Sequence, residues 1–104
     1  MKQAEETRSG RAFFEAGPVI GSYGEKVLSS DLIAANFDVC KVHSGGGLYL
    51  LEAKEGGEWR GCRLMMTVPN GVDIDQSGRG DWLTVPSMEA TAFRVVGVIE
   101  RVYH

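Results

Sequence analysis

From residue 37 onward, apolar and polar positions alternate in short runs cut by glycine, proline and small polar residues. The runs are FDVCKV (37–42), GLYLLEA (47–53), EWRGCRLMMTV (58–68), GVDID (71–75), DWLTV (81–85) and AFRVVGVIERVYH (92–104). They are rich in β-branched and aromatic residues, and the segments between them (HSGGG, KEGGE, PNG, QSGRG, PSMEA) carry turn chemistry. Six strands this close together predict antiparallel pairing, because a parallel crossover needs about a dozen residues or more. The predicted fold is mainly β, a small curled antiparallel sheet or partly open β-barrel. One short helix is expected over residues 32–37, capped by Ser30 or Asp31. Residues 17–26, with three glycines and a proline, predict a loop with at most a short edge strand. Residues 1–12 are polar and charged and predict a flexible arm, leaving 13–104 as a single β-rich domain on which Phe13 and Phe14 dock.

Alternation within two runs assigns faces. Along 58–66, Trp59, Gly61, Arg63 and Met65 share one side, and Arg60, Cys62, Leu64 and Met66 the other. The second side is apolar past Arg60, which predicts Cys62 in the core. In the closing run, Phe93, Val95, Gly97, Ile99 and Arg101 are expected to face the core. The other set places Val96, Val98 and Val102 on an outer strip bordered by Arg94 and Glu100. Such a strip predicts a two-fold homodimer with Arg94 of one chain near Glu100 of the other.

Composition narrows the class. With 104 residues, 43% hydrophobic and 24% charged, the chain is a folded single domain by composition. The net charge of −3, with cations scattered, argues against a nucleic-acid interface, which needs a clustered basic face. No apolar run is long enough for a membrane span and no leader pattern is present, so the expected location is cytoplasmic. Both thiols, Cys40 and Cys62, are expected buried and free.

Several motifs carry candidate chemistry. HSGGG and GSYG lack the spacing of a phosphate loop and predict turns. Cys40 and His43 stand in C-x-x-H spacing, with Cys62 and His104 as further donors, but a zinc site needs a second such pair, so no metal or cofactor is expected. GRGD, ending at Asp81, predicts a solvated turn. Tyr49, Trp59 and Trp82 are candidates to line a peptide or small-ligand pocket. Ser29 or Ser30 with Lys26 or Lys41, or Cys62 with His43, are the combinations a small hydrolase would use.

The order of elements from about residue 27 to residue 104 resembles the C-terminal domain of the LexA-like serine peptidases, which include LexA and lambda-type phage repressors and the UmuD proteins. FDVCKV matches that family's G-D strand, GGLYLLEA its hairpin strand, WRGCRLMM its lysine strand and AFRVVGVIERVY its closing strand. The resemblance implies a serine nucleophile about nine residues before the G-D strand, to which Ser29 or Ser30 corresponds only with a shift of register. It also places Cys62 where the family has its catalytic lysine. A buried thiol cannot act as that base, and the neighbouring Arg60 and Arg63 do not lose their protons. Ala16-Gly17 is similar to the bond that family members cleave in themselves, but it lies too near Ser29 to fold back onto it. What the resemblance implies is a catalytically inactive domain that keeps self-association or protein binding, in a phage or mobile-element regulator.

Overall fold

The computed structural model of the chain describes residues 10–56 and 60–104. Seven strands form one antiparallel sheet: β1 (Arg11–Glu15), β2 (Leu32–Asn36), β3 (Gly47–Ala53), β4 (Arg60–Val68), β5 (Gly71–Asp75), β6 (Trp82–Val85) and β7 (Phe93–Tyr103). A one-turn helix, α1 (Ala16–Val19), follows β1, and a 3-10 turn spans Met88–Ala90. The spatial order is β1-β2-β7-β3-β4-β5-β6. Strands β3 to β6 form a meander, and β7 returns to lie between β2 and β3.

The mainly β, antiparallel architecture is as the alternation predicts, and four local assignments differ, the first being that the short helix forms at Ala16–Val19, where a loop is expected. Residues 32–36 are strand β2 rather than helix: Ile33 and Ala35 are buried on one face, and pairing with both β1 and β7 outweighs the helix propensity of Leu and Ala. Residues 37–42 are a loop rather than a strand, turned by the Asn36 side chain, which accepts the Asp38 amide at 3.0 Å. Arg11 and Ala12, expected in the arm, already belong to β1.

Central strands with cover on both sides bury both faces. In β3, Tyr49, Leu50, Leu51 and Glu52 are all buried. Leu50 packs on one side with Ile33, Ala35, Cys62 and Ile99, beneath Ala16, Tyr23 and Val27. Tyr49 and Leu51 pack on the other with Met65 and Val72, beneath Val42 and Met88. The segment that joins β1 to β2 thus closes the first face. Its Gly24 lies so near β5's following loop that a Cβ there would stand 2.8 Å from the Ser77 carbonyl oxygen.

Strand β7 carries two bulges. Against β3, the register passes from Leu50–Gly97 to Leu51–Val95, leaving Val96 as an extra residue. Against β2, it passes from Ala34–Arg101 to Ala35–Ile99, leaving Glu100 extra. The bulges break the alternation expected of the closing strand. Val96 and Val102 pack with the first cluster and Val98 with the second, so the three valines do not share an outer strip. Arg94 and Glu100 are each paired within the chain, to Glu52 and Arg11 respectively.

Candidate functional site

The register of three neighbouring strands puts one carboxylate between two guanidinium groups. Glu52 of β3 is the partner of Arg60 on β4 and of Arg94 on β7. Its oxygens lie 3.8 Å from Arg60 Nε and 3.5 Å from Arg94 Nε, and its side chain is only 4% exposed. The arginine side chains are half-exposed, and Arg94 also donates to the Lys54 carbonyl at 2.8 Å. A carboxylate buried this far inside a strand needs partners of opposite charge, and two guanidinium groups face it. Beside this row opens a cavity of about 270 Å³ whose apolar walls include Phe14, Ile20, Phe37, Leu50 and Val96, with Glu52 and Arg60 at its polar end.

Cys62 lies one step along β4, paired with Leu50 and 2% exposed. Burial pushes its thiol up to about 12, against the smaller opposing pull of Arg63. It is a protonated, hydrophobic group in the core, as the alternation predicts. Arg63 donates to the Cys62 carbonyl at 2.6 Å and places its guanidinium 5.4 Å from the Tyr23 ring centre. Cys40, by contrast, is exposed rather than buried, because the segment expected as a strand is a surface loop.

The serines do not assemble with a base. Ser29 and Ser30 are exposed, and among the described residues no hydrogen bond joins the hydroxyl of either to a lysine or histidine. Between them and β2 lies the buried Asp31, whose carboxylate accepts the Leu28 amide at 2.8 Å and meets His104 Nδ1 at 2.9 Å. Lys26 and Lys41 are exposed. His43 cannot serve Cys62: its amide donates to the Tyr49 hydroxyl at 3.0 Å, in the cluster on the opposite face of the sheet. Among the described residues no three His, Cys, Asp or Glu side chains are grouped to hold a metal ion, so Cys40, His43, Cys62 and His104 do not come together as one donor set.

The three aromatic candidates are likewise dispersed. Tyr49 is a buried core residue, Trp82 is exposed on the edge strand β6, and Trp59 lies outside the described residues. One feature was passed over in the sequence, the Glu52-Arg60-Arg94 row, signalled only by a glutamate inside an otherwise apolar run. On the other side of Cys62, Tyr23 packs in the same cluster, and its hydroxyl accepts the Leu64 amide two residues further along β4.

The outer corner of the sheet leaves large apolar groups in solvent. Phe13 is 66% exposed, and Leu32 and Tyr103 are each about two-fifths exposed. Phe13 pairs with Ala34, and Leu32 with both Glu15 and Tyr103, so all three share the side opposite Phe14, Ile33 and Val102. No helix among the described residues is long and apolar enough to cross a membrane. Comparison of the chain with protein-family models, with curated proteins and with solved structures gives no match.

Proposed function

We propose that the protein is a LexA-like peptidase-type domain without a working dyad, and that it acts as a self-association module. The observation that carries the self-association is the apolar corner formed by Phe13, Leu32 and Tyr103 on β1, β2 and β7. Large apolar side chains left exposed on one face of neighbouring strands are a feature of interaction surfaces. A two-fold pairing of this corner with its own copy covers the patch on both chains at once. The interface therefore lies on the outer ends of β2 and β7, not on the strip of Val96, Val98 and Val102.

Loss of the dyad has separate support. The lysine position holds Cys62, a thiol that keeps its proton far above neutral pH. Ser29 and Ser30, the serines nearest the family nucleophile in spacing, are exposed, and among the described residues neither hydroxyl is bonded to a lysine or histidine. The family-like cleavage bond, Ala16-Gly17, lies within α1, with Ala16 fully buried and its amide bonded to the Asp31 carbonyl at 2.9 Å.

Light scattering across a dilution series tests the module. The expected result is a dimer mass that falls towards a monomer on dilution and is monomeric throughout for Phe13→Glu. A monomer mass at every concentration for the unaltered chain would overturn the self-association. Incubation at alkaline pH tests the lost dyad, and a discrete fragment on a gel that vanishes in Ser29→Ala or Ser30→Ala would show a working nucleophile.

A further inference from the structure

The two ends of the sheet differ in how far they are closed to a further strand. Beside β1, the Phe37 amide donates to the Gly10 carbonyl at 2.8 Å and the Ala16 amide to the Asp31 carbonyl at 2.9 Å, both in the register that pairs Phe13 with Ala34. In an antiparallel ladder every second residue turns both backbone groups to its neighbour, and the residues between turn theirs away. Ala12 and Phe14 therefore bond to β2. Arg11, Phe13 and Glu15 present their N–H and C=O groups at an edge on which no strand among the described residues lies. The same three residues form the exposed face of β1.

At the opposite end, the Gln76 amide donates to the Asp81 carbonyl, so Leu83 and Val85 bond to β5 while Trp82 and Thr84 face out. The next outward position there is Pro86, which has no amide, and β6 spans only Trp82–Val85. Strand β1 carries no such block. We propose that β1 pairs antiparallel with β1 of a second copy about a two-fold axis at Phe13, so that the two sheets join into one. This pairing rests on the self-association proposed above and names the backbone groups that make it.

The position of the axis follows from the order of residues along the edge. Centred on Phe13, the pairing sets Arg11 opposite Glu15 of the second copy, Phe13 opposite Phe13, and Glu15 opposite Arg11. Each facing pair exchanges two backbone hydrogen bonds. Opposed side chains share a face about 4.5–5.5 Å apart at Cβ, so opposite charges meet on both sides of the axis and two phenyl rings meet at its centre. Arg11 holds Glu100 through Nε at 2.9 Å and Nη2 at 3.3 Å, and Nη1 remains for the second copy's Glu15. An axis at Ala12 would set Arg11 against Phe13 and leave Glu15 without a counterpart. An axis at Phe14 would set Phe13 against Glu15 and leave Arg11 without one. Phe13, 66% exposed in a single copy, is covered by its counterpart, with Leu32 diagonal to it on β2. An extended peptide of another protein would satisfy the same backbone groups, but it would need this order of charges, which a second copy carries by symmetry.

Residue-resolved hydrogen exchange of the intact protein, at concentrations above and below the fall in its light-scattering mass, tests the pairing. The amides of Arg11, Phe13 and Glu15 are expected to exchange at least about tenfold more slowly in the dimer, with Ala12 and Phe14 protected in both states. Glu15→Arg and Arg11→Glu, each of which sets like charges opposite one another, are expected to raise the dimer Kd at least about tenfold. An equimolar mixture of the two variants sets the arginines of one chain against the glutamates of the other, and is expected to assemble within about threefold of the parent. A dimer in which those three amides exchange as in the monomer would overturn the pairing. So would protection of Trp82 and Thr84 in their place, or a mixture no tighter than either variant alone. Each of these outcomes leaves self-association standing, whereas a chain monomeric at every concentration removes both. Exchange is read on the unaltered chain, so it decides the matter even if Arg11→Glu, which also loses Glu100, displaces β1.

Discussion

The Tyr23 hydroxyl accepts the backbone N–H of Leu64 at 3.0 Å. It also donates to the carbonyl of Asp75, the register partner of Leu64, so a loop side chain stands at the point where β4 and β5 begin to pair. The hydroxyl thus bridges a backbone donor of β4 and a backbone acceptor of β5. Tyr23→Phe is therefore expected to cost about 1–3 kcal/mol with no loss of apolar packing. Urea unfolding measures it, and an unchanged midpoint would show that water replaces the hydroxyl.

Cys62 supplies a second expectation, in alkali. Its folded value of about 12 lies above its ordinary value of 9.0, so the unfolded chain loses the thiol proton first. Stability from this group is complete below about pH 9 and declines as pH rises towards 12, by at most about 1.4 kcal/mol per pH unit. Tyr23, also raised by burial, acts in the same sense. Cys62→Ala should flatten the decline in urea midpoints between about pH 9 and about pH 11. In the native protein a thiol reagent should modify Cys40 promptly and Cys62 only on unfolding. Rapid reaction of both would place Cys62 in an open site.

Asp75 acts at the other end of the pH scale. Burial opposes its ionisation, but amides of Gly80, Asp81, Ser77 and Gly78 donate to its carboxylate and hold it below the ordinary 3.8. Its contribution is present above that value and lost as pH falls through the lower, folded one. Asp75→Ala is expected to cost about 2–3 kcal/mol at neutral pH and to remove part of the acid sensitivity. Equal acid titration of stability in the variant and the parent would count against this role.

Gly71 closes the β4–β5 hairpin at φ 145°, and a Cβ there would stand 1.9 Å from the Val85 carbonyl oxygen on β6. Gly71→Ala must move backbone in two strands. A loss of at least about 2 kcal/mol is expected by thermal or urea unfolding. A stability equal to the parent would mean that β6 is free to shift.

The strands most legible in the sequence are β3 to β7, whose alternating runs end in glycine or proline turns. Cys62 in the core follows from the same period. The two N-terminal strands were hidden for different reasons. Leu32 to Ala35 are locally good helix formers, and only pairing with β7, far along the chain, makes them a strand. Arg11 and Ala12 sit among charged residues, and only the pairing with β2 sets them apart. Bulges at Val96 and Glu100 leave no mark in composition, so the faces of β7 could not be assigned by counting. The Glu52-Arg60-Arg94 row depends on the register of three strands at once, which no local pattern fixes.

The position of β7 between β2 and β3 also sets an order of events during synthesis. The meander from β3 to β6 can pair as it emerges, but β1 and β2 have nothing to join to the rest of the sheet until residues 93–103 have been made. Contacts between β2 and β7 span more than sixty positions, the kind of long closure that slows folding. Until then the apolar undersides of β2 and β3 are open to solvent together. A nascent chain halted before residue 93 should accordingly be a substrate for holding chaperones and proteases, and one released past residue 103 should not.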